Sequence, residues 1–307
     1  AYTPAPACSP ARTAALFGKY PWQTGVYANE QKWWQGFEND PSSSIMGRMK
    51  SAGFRITGAG KVFHGNYQDS ENDLWDEFRP YTRGPTRKTS KAVQQGLLNF
   101  RADFGPIPDD EPHFDQQATD FILERMKSGA TGQFWALGLY RPHLPFQVGQ
   151  KFYDALPKQI SLPPGMRANH FDSQDKSQLS NLPNAAIRMA SQWRYIGRQL
   201  DKTYEYSDFL RGYLASVHYA DFLLGQVLDH MDELGLWKNT HVILWSDHGW
   251  QVGEKLTFHK FTLWERALRV PLMIAGPNIE PCEIDAPVRL VDLAPTVLNI
   301  ASLAPDP

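Results

Sequence analysis

Three short apolar runs, each ending in a knot of polar residues, constrain this chain more than any other feature. Phe134-Trp135-Ala136-Leu137-Gly138-Leu139-Tyr140 reads as a buried strand that stops at Arg141-Pro142-His143, where proline removes a ladder donor. His241-Val242-Ile243-Leu244-Trp245-Ser246 reads as a second strand and delivers Asp247-His248-Gly249 at its end. Phe54-Arg55-Ile56-Thr57-Gly58 is a shorter third, leading into Lys61 and His64. Amphipathic segments separate these runs, and that alternation predicts an α/β domain on a mainly parallel sheet. Ligands of open α/β sheets sit beyond the carboxyl ends of strands, so the three polar clusters are expected to share one crevice.

Between the strands, the strongest helical pattern runs from about Tyr213 to Leu234. It sets Leu214, Val217, Leu224, Val227, Leu228 and Met231 near one face, with Gly235 as a stop. Asp292 to Ile300 predicts another helix, with Asp292 as N-cap and a proline in the first turn. Residues 150–208 are polar and weakly periodic, which suggests an insertion or lid within one catalytic domain covering 1–307. At 307 residues and 42% hydrophobic, the chain can bury one large core. Thirty-one Lys plus Arg against thirty-three Asp plus Glu leave no global field to recruit nucleic acid or an anionic membrane. Any anion must therefore be held locally. No run reaches the roughly eighteen apolar residues of a membrane span.

The two cysteines are too few for a disulfide framework. Cys282 follows the loop Gly276-Pro277-Asn278-Ile279-Glu280-Pro281 and reads as a bystander. Cys8 opens Cys8-Ser9-Pro10-Ala11-Arg12, and a helix from near Pro10 to Gly18 would set it beside free N–H groups that favour anions. Arg12, about one turn on, adds a fixed positive charge. A low-pKa thiolate in an anion pocket is the functional reading, and a buried cysteine at an ordinary helix start is the structural one.

The other clusters carry the same ambiguity when taken singly. Lys61 and His64 in Gly60-Lys61-Val62-Phe63-His64 offer one permanent cation and one group titrating near neutrality, or a surface lysine and a satisfied histidine. Two prolines clamp His143 in Arg141-Pro142-His143-Leu144-Pro145-Phe146, a rigidity that suits a general acid as well as a structural turn. Asp247, at a strand end before Gly249, is either a hard-cation ligand or a helix cap.

In order along the chain, these strings resemble the formylglycine-dependent sulfatases of the alkaline phosphatase superfamily. Cys8, Pro10 and Arg12 resemble their Cys-x-Pro-x-Arg signature, although Phe17 stands where Thr is more usual. Gly60-Lys61-Val62-Phe63-His64 and Pro142-His143-Leu144-Pro145-Phe146 are most similar to the iduronate-2-sulfatase-like branch. Ser246-Asp247-His248-Gly249, with Gly253-Glu254 and Lys260, resembles the metal-and-lysine segment, and Lys255 competes with Lys260 for the lysine position.

The resemblance implies a three-layer sandwich around a central, mainly parallel sheet, truncated at both ends. The family's first strand, with its paired aspartates, would precede Ala1, Asp109-Asp110 cannot be assumed to replace that pair, and the smaller C-terminal subdomain would follow the chain. Cys8 would be converted to formylglycine by the formylglycine-generating enzyme. Position 8, Asp247 and His248 would contribute to a calcium site, although a histidine is unusual there because calcium prefers oxygen. Arg12, Lys61, His64, His143 and Lys260 would be catalytic, on a sulfated carbohydrate. Trp22, Trp33 and Trp34 either stack on sugar rings or fill the core. Two alternatives remain: a phosphonate monoester or phosphodiester hydrolase of the same superfold, and an unmodified binder of sulfated glycans. A secreted, periplasmic or lysosomal location follows from the resemblance alone. The chain by itself is expected to bind metal weakly.

Overall fold

A computed structural model of the chain describes residues 1–35, 40–65, 74–82, 87–129, 131–163, 181–191, 194–203 and 205–304. Its central sheet has three parallel strands, β1 (Arg55–Gly60), β2 (Glu77–Arg79) and β3 (Gln133–Gly138), in the order β2-β1-β3. β1 pairs with β3 over its whole length, from Arg55 opposite Gln133 to Gly60 opposite Gly138. Side chains alternate across the sheet, as a period of two requires. Ile56, Phe134 and Ala136 point into one core with Leu16, Trp33, Met46 and Leu293. Ala59, Trp135 and Leu137 point into another with Ala118, Ile122 and Met231.

Helices cover both faces, which makes three layers. Helices Cys8–Phe17, Ile45–Ser51 and Leu293–Ile300 pack together on one side; Phe114–Met126 and Tyr206–Glu233 lie on the other. Helix Phe114–Met126 buries Asp115, Ala118, Thr119, Ile122 and Met126, a stripe at helical spacing. Each fully buried large apolar side chain of this kind contributes roughly 1.5–3 kcal/mol.

Three details differ from the sequence expectation. The run that delivers Asp247 is β4 (Val242–Trp245), and it pairs antiparallel with β5 (Leu272–Ala275) in a separate two-stranded sheet. It still shares both cores, with Ile243 and Trp245 on one face and Val242 on the other. The long helix begins at Tyr206 and buries Phe209, Leu210, Gly212, Ala215, Ser216, Tyr219, Leu223 and Met231, of which only Met231 was expected. Leu214 and Val217 are exposed, because Gly212, which carries no apolar signal, occupies the inner face against Tyr153, Phe104 and Phe146, and Ser216 is buried one turn on. Asp292 caps differently too: its side chain accepts from the Arg289 N–H at 2.9 Å, and it makes no bond to the helix that follows.

Of the proposed insertion, residues 150–163, 181–191, 194–203 and 205–208 are described, and they include helices Gln150–Asp154, Asn184–Ser191 and Arg194–Thr203. Residues 164–180 lie outside the described set. Among the described residues, no helix is long and apolar enough to cross a membrane.

Candidate active site

The pocket is assembled from the first residue of a helix and the ends of three strands. Cys8 begins helix Cys8–Phe17 and is fully buried; Gly18, at φ 66°, ends the helix in the left-handed region that glycine accepts without strain. Lys61 follows β1, His143 follows β3, and Asp247-His248 follow β4. Gly249 follows them where the Arg266 backbone approaches so closely that any Cβ would fall 1.9 Å from its carbonyl oxygen.

Three nitrogen groups converge on the Cys8 sulfur. Lys260 Nζ lies 2.6 Å from Sγ, His248 Nε2 3.2 Å and Lys61 Nζ 3.5 Å. Lys260 Nζ is also 2.9 Å from His248 Nε2. Burial alone would raise the thiol's pKa, but Lys61, Lys260 and His248 outweigh it and hold Cys8 well below the usual thiol value. Sulfur here marks where a negatively charged atom is welcomed. Lys61 is itself pushed down by burial, with Cys8 acting in the opposite direction, and its ammonium sits 4.9 Å over the Tyr140 ring.

Arg12 reaches the pocket through Asp247: its Nε donates to Oδ2 at 2.7 Å, and its NH1 donates to the Lys61 and Val62 carbonyls. Burial would raise the Asp247 pKa, yet Arg12 and His248 hold it at about 2. His248 Nδ1 lies 2.8 Å from the Gly249 carbonyl, a contact that fixes the ring and turns Nε2 toward the pocket.

His143 is set by a backbone partner, with Nδ1 2.7 Å from the Leu144 carbonyl. Burial, Lys61 and Lys260 hold its pKa well below the ordinary value. His64 lies just after Lys61 with a buried Nδ1 that finds no hydrogen-bond partner among the described residues, and none of the described contacts joins it to Cys8. Lys255 is exposed, whereas Lys260 is 2% exposed. Cys282 is exposed and free. Trp33 is buried against Phe17 and Phe63, Trp34 is partly buried, and Trp22, at 65% exposure, stacks on Tyr20. Asp109 accepts the Lys151 N–H on the surface and takes no part in the pocket.

Two side chains of the pocket escaped the sequence reading. Trp250 lies beside it, with its ring 5.5 Å from His143, 6.4 Å from His248 and 4.5 Å from His259. His259 is buried, and burial, Lys260 and His248 hold its pKa well below the ordinary value. Its one sequence signal was adjacency to Lys260.

Cys8 Sγ, His248 Nε2 and an Asp247 oxygen lie within 4.8 Å of one another, the spacing of a metal cluster. As a complete shell for a hard dication they do not suffice. Calcium takes six to eight oxygens; here there is one carboxylate, with one oxygen on Arg12 and the other on the His248 N–H. An ammonium, Lys260, bridges the sulfur and the imidazole.

The layers and this pocket define the alkaline-phosphatase-like fold, shared at TM-score 0.71 with the phosphonate monoester hydrolase of Agrobacterium radiobacter (17% identity, 99% of this chain, 66% of that one). A solved complex with its substrate D-glucosamine-2-N,6-O-disulfate matches at TM-score 0.69 (18% identity, 99% of this chain, 68% of that one). Within that class the chain belongs to the sulfatase family, whose profile matches residues 1–303. A sulfatase of Formosa agariphila is 33% identical over 99% of this chain, and iduronate 2-sulfatase of Mus musculus is 31% identical over 88%. The chain spans 61% and 51% of the lengths of those two proteins. Membership implies a divalent metal and formylglycine at the cysteine.

Proposed function

We propose that this chain carries the catalytic pocket of a sulfatase that hydrolyses sulfate esters of a carbohydrate. One observation carries the reading: two lysines and a histidine lie within 3.5 Å of the side chain at position 8, where the nucleophile of the family stands. Oxidation of Cys8 by a formylglycine-generating enzyme supplies an aldehyde whose hydrate offers one hydroxyl for attack on sulfur and a second for release. An unmodified thiol has no second hydroxyl.

The chain's own residues then have separable tasks. Lys61 and Lys260 neutralise the sulfuryl oxygens and favour the charge that builds in the transition state. Arg12 fixes Asp247, and both hold the turn that presents His248. His143 and Lys260 serve the leaving oxygen. Beside two ammonium groups His143 is held neutral; an anionic ester offsets those charges and raises its pKa, so substrate binding loads the proton it gives. The family resemblance gives His64, which no described contact joins to Cys8, the task of accepting the proton lost when sulfate is released. A divalent metal such as calcium would be held in part by the side chain at position 8, Asp247 and His248, and would supply positive charge to the sulfuryl oxygens; no step above depends on it.

The sugar assignment rests on the relatives: one acts, by its name, on iduronate 2-sulfate, and a structural neighbour was solved with a sulfated glucosamine. Such substrates lie outside the cytoplasm, which supports a secreted, periplasmic or lysosomal site of action. The test is mass spectrometry of the Cys8 peptide from protein made with the maturation enzyme, paired with assays on an aryl sulfate and a phosphate diester. The aldehyde with sulfate hydrolysis is expected. Faster diester hydrolysis would favour the phosphonate and phosphodiester hydrolases that share the fold, and unmodified cysteine without turnover would leave a glycan binder.

A further inference from the structure

Behind the pocket wall, one buried carboxylate holds the loop that carries His143. Asp115 lies in the first turn of helix Phe114–Met126 and is fully buried. Its Oδ1 accepts the Tyr140 N–H at 2.8 Å and its Oδ2 accepts the Arg141 N–H at 3.0 Å. A buried carboxylate is costly unless its lone pairs are met, and here two consecutive backbone donors and the nearby Arg141 charge meet them. The guanidinium of Arg141, also buried, donates through Nε and NH2 to the Gln147 carbonyl at 3.2 and 2.9 Å and through NH1 to the His143 carbonyl at 3.3 Å.

The segment so held reaches the pocket at two points. The Tyr140 ring lies 4.9 Å under Lys61 Nζ and 4.8 Å from the His143 ring. The His143 N–H donates to the Tyr140 carbonyl at 3.0 Å, so the imidazole is tied to the residue that Asp115 clamps. A small shift of the Tyr140–Arg141 peptide therefore moves the imidazole relative to any bound ester, and a misplacement of about 1 Å is costly in rate.

We propose that Asp115 is a positioning residue: by clamping the N–H groups of Tyr140 and Arg141 it aims His143 at the leaving oxygen, without touching substrate itself. This role rests on the sulfatase reading and on His143 acting at that oxygen. Asp115→Asn keeps one acceptor and turns an NH2 against the second N–H, which loosens the turn while preserving side-chain shape. Its turnover of a carbohydrate sulfate, whose alcohol must be protonated to leave, should fall about 10- to 100-fold, while an aryl sulfate with an acidic phenol should fall less than about threefold. Taking the ratio of the two rates on one preparation cancels any loss of folded protein. Arg141→Lys is the second variant, should Asp115→Asn fold poorly, and should shift the ratio in the same direction. His143→Asn gives the reference pattern.

Glu205→Gln is the control. Glu205 is another buried carboxylate holding two consecutive N–H groups, those of Lys91 and Ala92 at 2.7 and 2.8 Å, on a different element. Its ratio should match the wild type. If Glu205→Gln shifts the ratio as Asp115→Asn does, the ratio reports general loosening and the role is overturned. An unchanged ratio in both Asp115→Asn and Arg141→Lys, in a protein that hydrolyses both esters, overturns the role and leaves the proposed function standing. A wild-type protein with formylglycine at position 8 that hydrolyses neither ester overturns both.

Discussion

The turns after β1 and β3 each bring a nitrogen group to the same pocket, and they are built by opposite means. After β1, the placement of Lys61 is steric. Gly60 takes φ 74°, the Lys61 N–H meets the Gly138 carbonyl at 2.6 Å, and a Cβ on Gly138 would fall 2.1 Å from the Lys61 backbone. After β3, the placement of His143 is electrostatic, set by a buried carboxylate and a buried guanidinium. The contrast teaches that the backbone under the ammonium is set first by two strand ends packed without side chains, with Arg12 on the Lys61 and Val62 carbonyls, whereas the backbone under the imidazole is held by a buried carboxylate and guanidinium. The first should break as a fold and the second as an aim.

Gly138→Ala tests the steric side and should have the largest effect. The atoms it meets are backbone, at 2.1 Å in Lys61 and 2.4 Å in Val62, and cannot rotate away. We expect a loss of about 3 kcal/mol or more, read as a fall of about 6 °C or more in Tm. Wild-type melting in this variant would mean that the strand ends are not that close. Next in size is Lys260→Met, which removes the charge and keeps an apolar stem in a buried place. It should fold, yet lower kcat/KM by about 10²- to 10³-fold, the cost of one well-placed transition-state donor. Lys255→Met, on the exposed lysine five residues earlier, should leave kcat/KM unchanged, and equal losses in the two variants would dissolve the assignment.

This contrast also marks what was legible in the sequence. The α/β class and the strands that deliver Lys61, His143 and Asp247 could be read from apolar runs ending in polar clusters. The helix Cys8–Phe17 could be read from proline and glycine punctuation, with its start expected near Pro10 and found at Cys8. Asp115, Trp250 and His259 could not. Asp115 has no periodic signal, since a carboxylate in a helix's first turn is ordinary on the surface, and only tertiary contact shows its oxygens on a strand end 25 residues away. In the N-terminal half of helix Tyr206–Glu233 the phase was misread for a related reason, while Met231 is buried as expected: Gly212 faces the core because packing there demands a small side chain. The antiparallel pairing of β4 with β5 was hidden because pairing direction leaves no mark in a short buried run.

Acid should strain the electrostatic side first. His113 caps the helix that carries Asp115, with Nδ1 accepting the Asp115 N–H at 3.1 Å, so protonation would delete that bond. Burial, with Arg141 adding to it, lowers its pKa from 6.5 to about 2. The groups facing it are Asp115, Arg141 and the Tyr219 ring. Below pH 6.5 the unfolded chain binds a proton that the native chain refuses, so stability is intact above that value and falls as pH drops toward 2. One such proton is worth about 1.4 kcal/mol per pH unit. Urea titrations between pH 7 and 5 should show that slope, and His113→Asn, which can keep an acceptor near the Asp115 N–H, should flatten it by about one proton. An unaltered slope would mean that His113 titrates normally.

The smallest effect separates packing from backbone within one helix. Gly225 and Gly212 both sit inside helix Tyr206–Glu233, where alanine is favoured over glycine by about 1 kcal/mol. A Cβ on Gly225 meets nothing within 4 Å, so Gly225→Ala should raise stability by roughly 0.5–1 kcal/mol. A Cβ on Gly212 comes within 3.2 Å of Phe104 and Phe146 and 3.1 Å of the Tyr153 hydroxyl. Phe146 ends the loop that carries His143, and its carbonyl accepts from that hydroxyl at 2.6 Å. Gly212→Ala should therefore lose the helical gain and, by pressing on Phe146, also shift the leaving-group ratio slightly toward the Asp115→Asn pattern. If Gly212→Ala stabilises as much as Gly225→Ala does, the base of the His143 loop is slack, and a carboxylate behind it would have little left to aim.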